Sequence, residues 1–364
     1  MKKTLYTLNE IAKTIRRTSH QVPFRKYFLI SLENKIRVFF SRFSLNSYDP
    51  SYFNEINSET ILRVYEKYIG ESNVGKFWSR RAKYILKRCN PKSFSNFKRD
   101  VNKLFFWIPG CDDYDYLKFY FDKVKEKDEL ELLRLIKEPK MGNPKCVTIE
   151  ENEQITQDLI RSIDEFYSVY PHLRNKRKWN ICEVGAGYGR SAFVFAKAAK
   201  ILDIEALNYI IIDIPPIIFI SSKYFSSIRD ELSGTELEFY SGEGYVDSII
   251  QNSNRHRVKF CLPDQLTETP ENYFDAVINI SSFEEMDQAT IDHYFNQIDL
   301  KLCDGGIFYT KQLGENAEDV SQYTPENFKS YSYKSHWQKI VDRLTEPPFY
   351  FEAVFKNEKK NKKK

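Results

Sequence analysis

"ICEVGAGYGRSAFVF", residues 181–195, is the stretch on which the fold turns. A short apolar run ends in an acid, Glu183, and three glycines follow at alternate positions, Gly185, Gly187 and Gly189. A second apolar run then begins at helical spacing. Such a string reads as a buried strand, a tight turn whose backbone needs glycine, and a helix. The same alternation continues on both sides of it. "NYIIIDI" (208–214), "RVKFCLP" (257–263), "FDAVINI" (274–280), "GIFYTKQ" (306–312) and "PFYFEAVF" (348–355) read as strands. "PIIFISSKYFSSI" (216–228) and "DQATIDHYFNQIDLKL" (287–302) read as helices, and "TPENFKSYS" (324–332) as a helix start with Thr324 as its cap. Strands this apolar, separated by helices, belong in a parallel sheet covered on both faces. In such a sheet, ligands bind beyond the carboxyl ends of the strands.

Upstream of the sheet, residues 1–140 read as a helical domain. Ser58 can cap "ETILRVYEKYI", which stops at Gly70, and "GKFWSRRAKYILKR" (75–88) puts apolar and basic residues on separate faces. "DDYDYLKFYFDKVKEKDELELLRLIKE" (112–138) is a long helical pattern with room for one break, and "KEPKMGNPK" (137–145) is a loop or linker. "TQDLIRSIDEFYSVY" (156–170) is an amphipathic helix. The second domain then spans 141–356, and 357–364 are expected to form a disordered basic tail ending in "KKNKKK". Charge is uneven: residues 1–100 carry 21 Lys and Arg against 8 Asp and Glu, the remainder 34 against 43. The basic part is either a solvated helical surface or a patch for a phosphate-bearing partner. Six scattered cysteines form no CxxC, so neither a zinc site nor a disulfide framework is indicated, and a reducing, cytoplasmic setting is expected. The most apolar stretch, "YIIIDIPPIIFI" (209–220), is too short for a membrane span and carries Asp213, Pro215 and Pro216.

Two ligand types use a glycine turn of this design. The dinucleotide fingerprint is GxGxxG, but here Arg190 stands where its third glycine belongs. Glu183, two residues before the first glycine, suits a cationic ligand better than a pyrophosphate. The pattern E/D-x-G-x-G-x-G resembles the first motif of Rossmann-like S-adenosylmethionine (SAM) methyltransferases. Asp213, at the end of the second strand, can accept both hydroxyls of a ribose in either ligand class. Asp264, just past the third strand, stands where methyltransferases often read the adenine amino group. "LKLCDGGIFY" (300–309) resembles the turn that leads into their fifth strand, with Asp304 in place of the usual proline. "DIPP" (213–216) looks like the D/N-P-P-Y/F motif of enzymes that methylate a base amino group, but that motif belongs after the fourth strand. There the chain reads "SSFEEM" (281–286), which argues against nucleobase methylation.

Several segments in order resemble the bacterial sugar O-methyltransferase family: "MGNPKCVTIEENEQITQDLIRSI" (141–163), "ICEVGAGYGRSA", "IIDIPP" and "VINISSFEEM". The resemblance covers roughly residues 130–315. It implies an α/β fold with a mostly parallel Rossmann-like sheet, an antiparallel late strand, and an N-terminal helical domain. It implies SAM as cofactor, held by Glu183, Gly185, Gly187, Tyr188, Gly189, Asp213, Asp264 and Asn279, and a sugar, sugar-nucleotide or glycolipid acceptor. Methyl transfer to a weakly nucleophilic hydroxyl needs alignment and a base within reach. Glu285 matches the acid of the family's S-F-x-E-M segment and is the first candidate base, the alternative being a helix cap or a sugar contact. His336 is a second candidate, with Trp337 beside it able to stack on a sugar ring. Ser282, its neighbour Glu284, and Asn143 in the G-N-P loop complete the expected substrate side. The five histidines do not cluster with acids, so no metal ligand is assigned and a metal-independent reaction is expected. Competing readings are an RNA methyltransferase using the basic N-terminal region, a binding protein that keeps the fold without chemistry, and a nicotinamide oxidoreductase. Nucleic acid is nonetheless not the expected partner. The N-terminal helices could form a lid, an acceptor-binding domain or a homodimer surface, and the sequence does not choose among these.

Overall fold

The computed structural model describes residues 96–98, 114–150, 152–232, 234–238, 254–313, 331–345 and 350–359. Helices expected at 58–70, 75–88 and from Thr324, residues 360–364 of the tail, and all of the basic first hundred residues except 96–98 lie outside these. The first tail residues are ordered, contrary to expectation: Asn357 is buried at the end of the last strand, and Lys359 Nζ donates to Leu302 O at 3.0 Å.

The long helical pattern at 112–138 is two helices, α1 (Tyr114–Lys125) and α2 (Leu132–Leu135). Glu131, at φ 54°, breaks it, and the Asp128 carboxylate accepts from the free N–H groups of Leu132 and Leu133. The G-N-P segment leads into an unexpected hairpin, β1 (Val147–Ile149) and β2 (Asn152–Ile155). Helix α3 (Gln157–Leu173) follows, capped by Thr156, whose Oγ1 accepts from Leu159 N at 3.1 Å.

The sheet comprises β3 (Lys178–Val184), β4 (Ala206–Ile212), β5 (Thr235–Glu238), β6 (His256–Cys261), β7 (Phe274–Ile280), β8 (Leu302–Leu313), β9 (Trp337–Thr345) and β10 (Tyr350–Asn357). Its order is β5-β6-β4-β3-β7-β8-β10-β9. Every pair from β5 to β8 is parallel, whereas β10 runs antiparallel to both β8 and β9. This is a Rossmann-like sheet, mostly parallel with an antiparallel late strand, as the resemblance implied. Helices α4 (Arg190–Ile201), α5 (Pro215–Ser227) and α6 (Gln288–Lys301) make the crossovers. Buried apolar runs such as Ile210–Ile212 feed two cores, one on each face of the sheet. Strand order reverses between β3 and β7, so their carboxyl ends diverge into a crevice.

Gly305 and Gly306 do not form a turn ahead of β8. They lie inside it, where the register with β7 jumps from Phe274↔Leu302 to Ala276↔Ile307. Gly305 takes φ 75°, and a Cβ on Gly306 would meet the carbonyls of Cys303 and Phe274 at 3.0 Å. The pair makes a bulge, a use of glycine in a strand that close backbone approach requires. No helix among the described residues is long and apolar enough to cross a membrane.

Candidate functional site

A cavity of about 250 Å³ opens at the crevice. One wall is the glycine turn. All three glycines have positive φ: 71° at Gly185, 60° at Gly187 and 89° at Gly189. Gly185 N donates to Ile212 O at 2.8 Å, folding the turn over the end of β4. A Cβ on Gly185 would collide with the Ser282 side chain, and one on Gly189 would come within 2.6 Å of the Phe225 ring. Gly189→Ala should therefore lower folding stability by about 2–4 kcal/mol, combining left-handed strain with overpacking against Phe225 and Ile211. Urea unfolding measures this, and a loss under 1 kcal/mol would contradict the packing described.

Asp213 follows β4 and is half-buried against the turn. Its Oδ2 accepts from Gly187 N and its Oδ1 from Ile214 N, both at 2.8 Å. Burial pushes its carboxyl up to about 7, and the two N–H groups oppose that rise. Glu183 is buried at the cavity floor and accepts from Tyr209 Oη at 2.6 Å; burial raises it too, to about 7. Tyr188 lines the wall with its ring edge-on to Phe97 and Tyr224, while its hydroxyl donates to Asp158 at 2.6 Å. Arg190, the residue that spoils the dinucleotide fingerprint, reaches under the turn to α3. Its Nη1 and Nη2 donate to Glu165 at 2.5 and 3.1 Å, and Lys311 Nζ joins the same carboxylate at 3.0 Å. A buried ion cluster of this kind fixes the turn against α3 and tolerates no missing partner.

The opposite wall is the segment after β7. Asn279 is fully buried and holds that segment in place. Its Nδ2 donates to Val184 O at 3.0 Å and to Ser282 Oγ at 2.6 Å, and its Oδ1 accepts from Gln312. Ser281 takes φ 50° and donates from its N–H to Lys311 O at 2.8 Å. The short helical turn Phe283–Glu285 then presents half-buried Glu284 and Glu285 to the cavity, beside Ser282. Asp287, not Glu285, caps α6, accepting from Thr290 N at 2.9 Å.

The structure thus brings Glu183, Gly185, Gly187, Tyr188, Asp213, Ser282, Glu284 and Glu285 to one cavity. Gly189 starts α4 just behind it. Asp264 is exposed on the turn Pro263–Leu266; its neighbour Pro263 lines the cavity and it does not. Asn143, at φ 52°, donates from Nδ2 to Asn96 Oδ1 at 2.7 Å and clamps the 96–98 turn, outside the lining. Asn279, expected on the cofactor, does not line the cavity either: it is fully buried with its amide spent on Val184, Ser282 and Gln312. The last two expectations, His336 and Trp337, are corrected as well. Trp337 pairs with Asn357, and Lys356 with Ile307 near the start of parallel β8, so His336 and Trp337 sit at the opposite edge of the sheet. His336 Nε2 and Trp337 Nε1 both meet Asp299 Oδ1 on α6, at 2.6 and 3.0 Å, and the indole packs on Phe295 and Phe308. These are structural contacts. His336→Ala should cost about 1–2 kcal/mol of stability and leave cofactor affinity within about twofold, read by melting and calorimetry.

Sequence reasoning missed the third wall. Gln157, Asp158 and Arg161 on the first turns of α3 line the cavity, as does Tyr350 at the start of β10. Arg161 lies 4.8 Å over the Tyr350 ring. The sequence did carry a signal: "TQDLIRSIDEF" is richer in polar residues than one solvent face can take, and Gln157, Ser162, Asp164 and Glu165 are all buried. Among the described residues, no three His, Cys, Asp or Glu side chains converge as a metal site would require.

No protein-family model matches the chain, and no curated protein matches its sequence. Solved structures similar in fold include a Burkholderia thailandensis 1,6-didemethyltoxoflavin N1-methyltransferase with bound S-adenosylhomocysteine. It is 12% identical, over 67% of this chain and 86% of that one, with a TM-score of 0.31. Another is a SAM-dependent methyltransferase from Methanosarcina mazei, 11% identical over 52% of this chain and 98% of that one, with a TM-score of 0.36.

Proposed function

We propose that this cavity binds SAM and passes its methyl group to a hydroxyl of a sugar acceptor, free or carried on a nucleotide or glycan. The observation that carries the reading is Asp213. Its carboxylate is fixed by two backbone N–H groups at the lip of a glycine cradle, with lone pairs left for a diol. The residues present fit the cofactor. Positive φ at Gly185 and Gly187 keeps the turn close, Asp213 matches a ribose, and Glu183 supplies an acid for a cationic ligand. Bound SAM would supply an activated methyl on a positively charged sulfur.

The chain's own part is alignment and proton handling. Asn279 and Ser282 tie the segment after β7 to the end of β3, so Glu285 is held opposite the glycine turn. Glu285 accepts the acceptor hydroxyl's proton at its carboxylate as the new C–O bond forms. Glu284 and Ser282 bind neighbouring hydroxyls. The cytoplasm is the matching location for such an enzyme.

The test is calorimetric titration with S-adenosylhomocysteine, NADH serving as control, followed by methyl transfer from radiolabelled SAM to nucleotide sugars and methyl glycosides. Binding of NADH in place of S-adenosylhomocysteine would overturn the reading. Binding without transfer to any sugar would favour the binding protein without chemistry.

A further inference from the structure

Acidic side chains outnumber basic ones around the cavity. Among the described residues, five carboxyls line it against three cations, Lys98, Arg161 and Arg190. Lys98 and Arg190 are both ion-paired to buried glutamates, Glu138 and Glu165, each at 2.5 Å. Arg161 is seated differently. It is half-buried in the wall, with its guanidinium 4.8 Å from the centre of the Tyr350 ring. It adds to the positive field on Glu165, whose carboxylate Arg190 and Lys311 already hold. A guanidinium over an aromatic ring meets that ring with its face. Its N–H donors lie in its plane, in the fork that a carboxylate matches with two bonds. The backbone that carries Arg161 is fixed on both sides. One turn before it, Asp158 accepts from Tyr188 Oη at 2.6 Å, and one residue after it, Ser162 Oγ accepts from Arg190 Nη1 at 2.8 Å. Tyr188 and Arg190 flank Gly189, so α3 holds Arg161 beside the glycine turn.

We propose that Arg161, backed by Tyr350, receives the α-carboxylate at the methionine end of the cofactor. The inference rests on the methyl-transfer reading above and deepens it. SAM brings a ribose diol, two cationic centres and one carboxylate. Asp213 answers the diol, and an acidic lining suits the cations. The carboxylate is the group that such a lining repels, and taking it out of water among acids without a cation would be costly. Arg161 turns that repulsion into a charge-assisted pair. Its part is to anchor the end of the cofactor remote from Asp213, and it moves no proton.

Calorimetry on the full chain tests it by comparing S-adenosylhomocysteine with its decarboxylated analogue, which keeps the nucleoside, the thioether and the ammonium and lacks only the carboxylate. Wild type should bind the analogue about 20-fold or more weakly than S-adenosylhomocysteine, as loss of a bidentate charged pair predicts. Arg161→Met should weaken S-adenosylhomocysteine by a similar factor and leave the analogue within about threefold of wild type, the signature of a direct contact in a double-mutant cycle. Arg161→Lys keeps the charge without the fork and should fall between the two. Equal losses for both ligands in Arg161→Met would make the side chain a packing element against Tyr350 and overturn the assignment. So would S-adenosylhomocysteine affinity unchanged by Arg161→Met, whether or not a nucleotide sugar then binds the variant less tightly. A wild type indifferent to the carboxylate would overturn it without any variant. If Arg161→Met fails to fold, that comparison and Arg161→Lys decide the matter. A wild type that binds neither ligand would remove the methyl-transfer reading itself, a separate failure.

Discussion

Asp213→Ala will bind S-adenosylhomocysteine about 100-fold or more weakly than wild type. Two hydrogen bonds from ribose hydroxyls to a charged acceptor contribute about 1.5–3 kcal/mol each, and about 1.4 kcal/mol is a tenfold change in affinity. The substitution also strips Gly187 and Ile214 of their N–H acceptor, so part of the loss is disorder in the turn. Asp213→Asn separates the two effects, because an amide oxygen still accepts one of those bonds. It should recover most of the melting temperature and little of the affinity. The same carboxylate predicts a pH dependence. With its pKa raised to about 7 in the free protein, the ionised form that binding needs is scarce below that pH. Affinity should therefore fall as pH drops through 7, with proton release on binding at pH 6 visible as a buffer-dependent heat. Glu183, also raised to about 7, adds to the slope in the same direction. Affinity flat between pH 5.5 and 8 would contradict both placements.

The second large effect is on rate. Glu285→Gln should lower kcat for methyl transfer by about 10²–10⁴, the range that a positioned general base supplies, while S-adenosylhomocysteine affinity stays within about twofold. The amide keeps the shape of the side chain and removes only its ability to take a proton. Glu284→Gln should act mainly on KM for the acceptor, since it is assigned a binding part. If the two variants exchanged these signatures, the base would be Glu284 and the segment after β7 would turn that side chain, not Glu285, toward the glycine turn. Single-turnover measurement with radiolabelled SAM and the glycoside panel separates chemistry from product release.

Much of this was legible in residue order because one physical demand dominated it. A strand buried on both faces must be apolar throughout, so β3, β4, β6, β7 and β8 stand out, and a turn at positive φ must be glycine. Edge strands obey neither rule. β5, "TELE", and β9, "WQKIVDRLT", are short or half-polar, and both went unread. That omission also misplaced His336 and Trp337. Without β9, nothing in "YKSHWQK" tells which end of the sheet the pair reaches. Two antiparallel pairings settle that, and pairing is a long-range fact. The α3 wall was hidden for a different reason. An amphipathic pattern assigns polar residues to solvent, whereas here Arg190 and Lys311 draw Glu165 inward and the cavity draws Gln157. Gly305 and Gly306 were noticed for the right chemistry in the wrong place, because a bulge and a turn ask the same freedom of the backbone.

The position of β10 governs the order in which this protein can be completed during synthesis. It lies between β8 and β9 but leaves the ribosome after both. Until it emerges, β8 offers an open ladder of peptide groups along its whole length, a sticky seam for another nascent chain. Among the described residues, β9 pairs only with β10 and stays unpaired in that interval. Tyr350, the first residue of the inserted strand, is also the last piece of the cavity wall to arrive. Closure of the cavity wall and protection of this seam therefore come together, once residue 350 has emerged, and ribosome-bound chains halted before it should be held by chaperones, not folded.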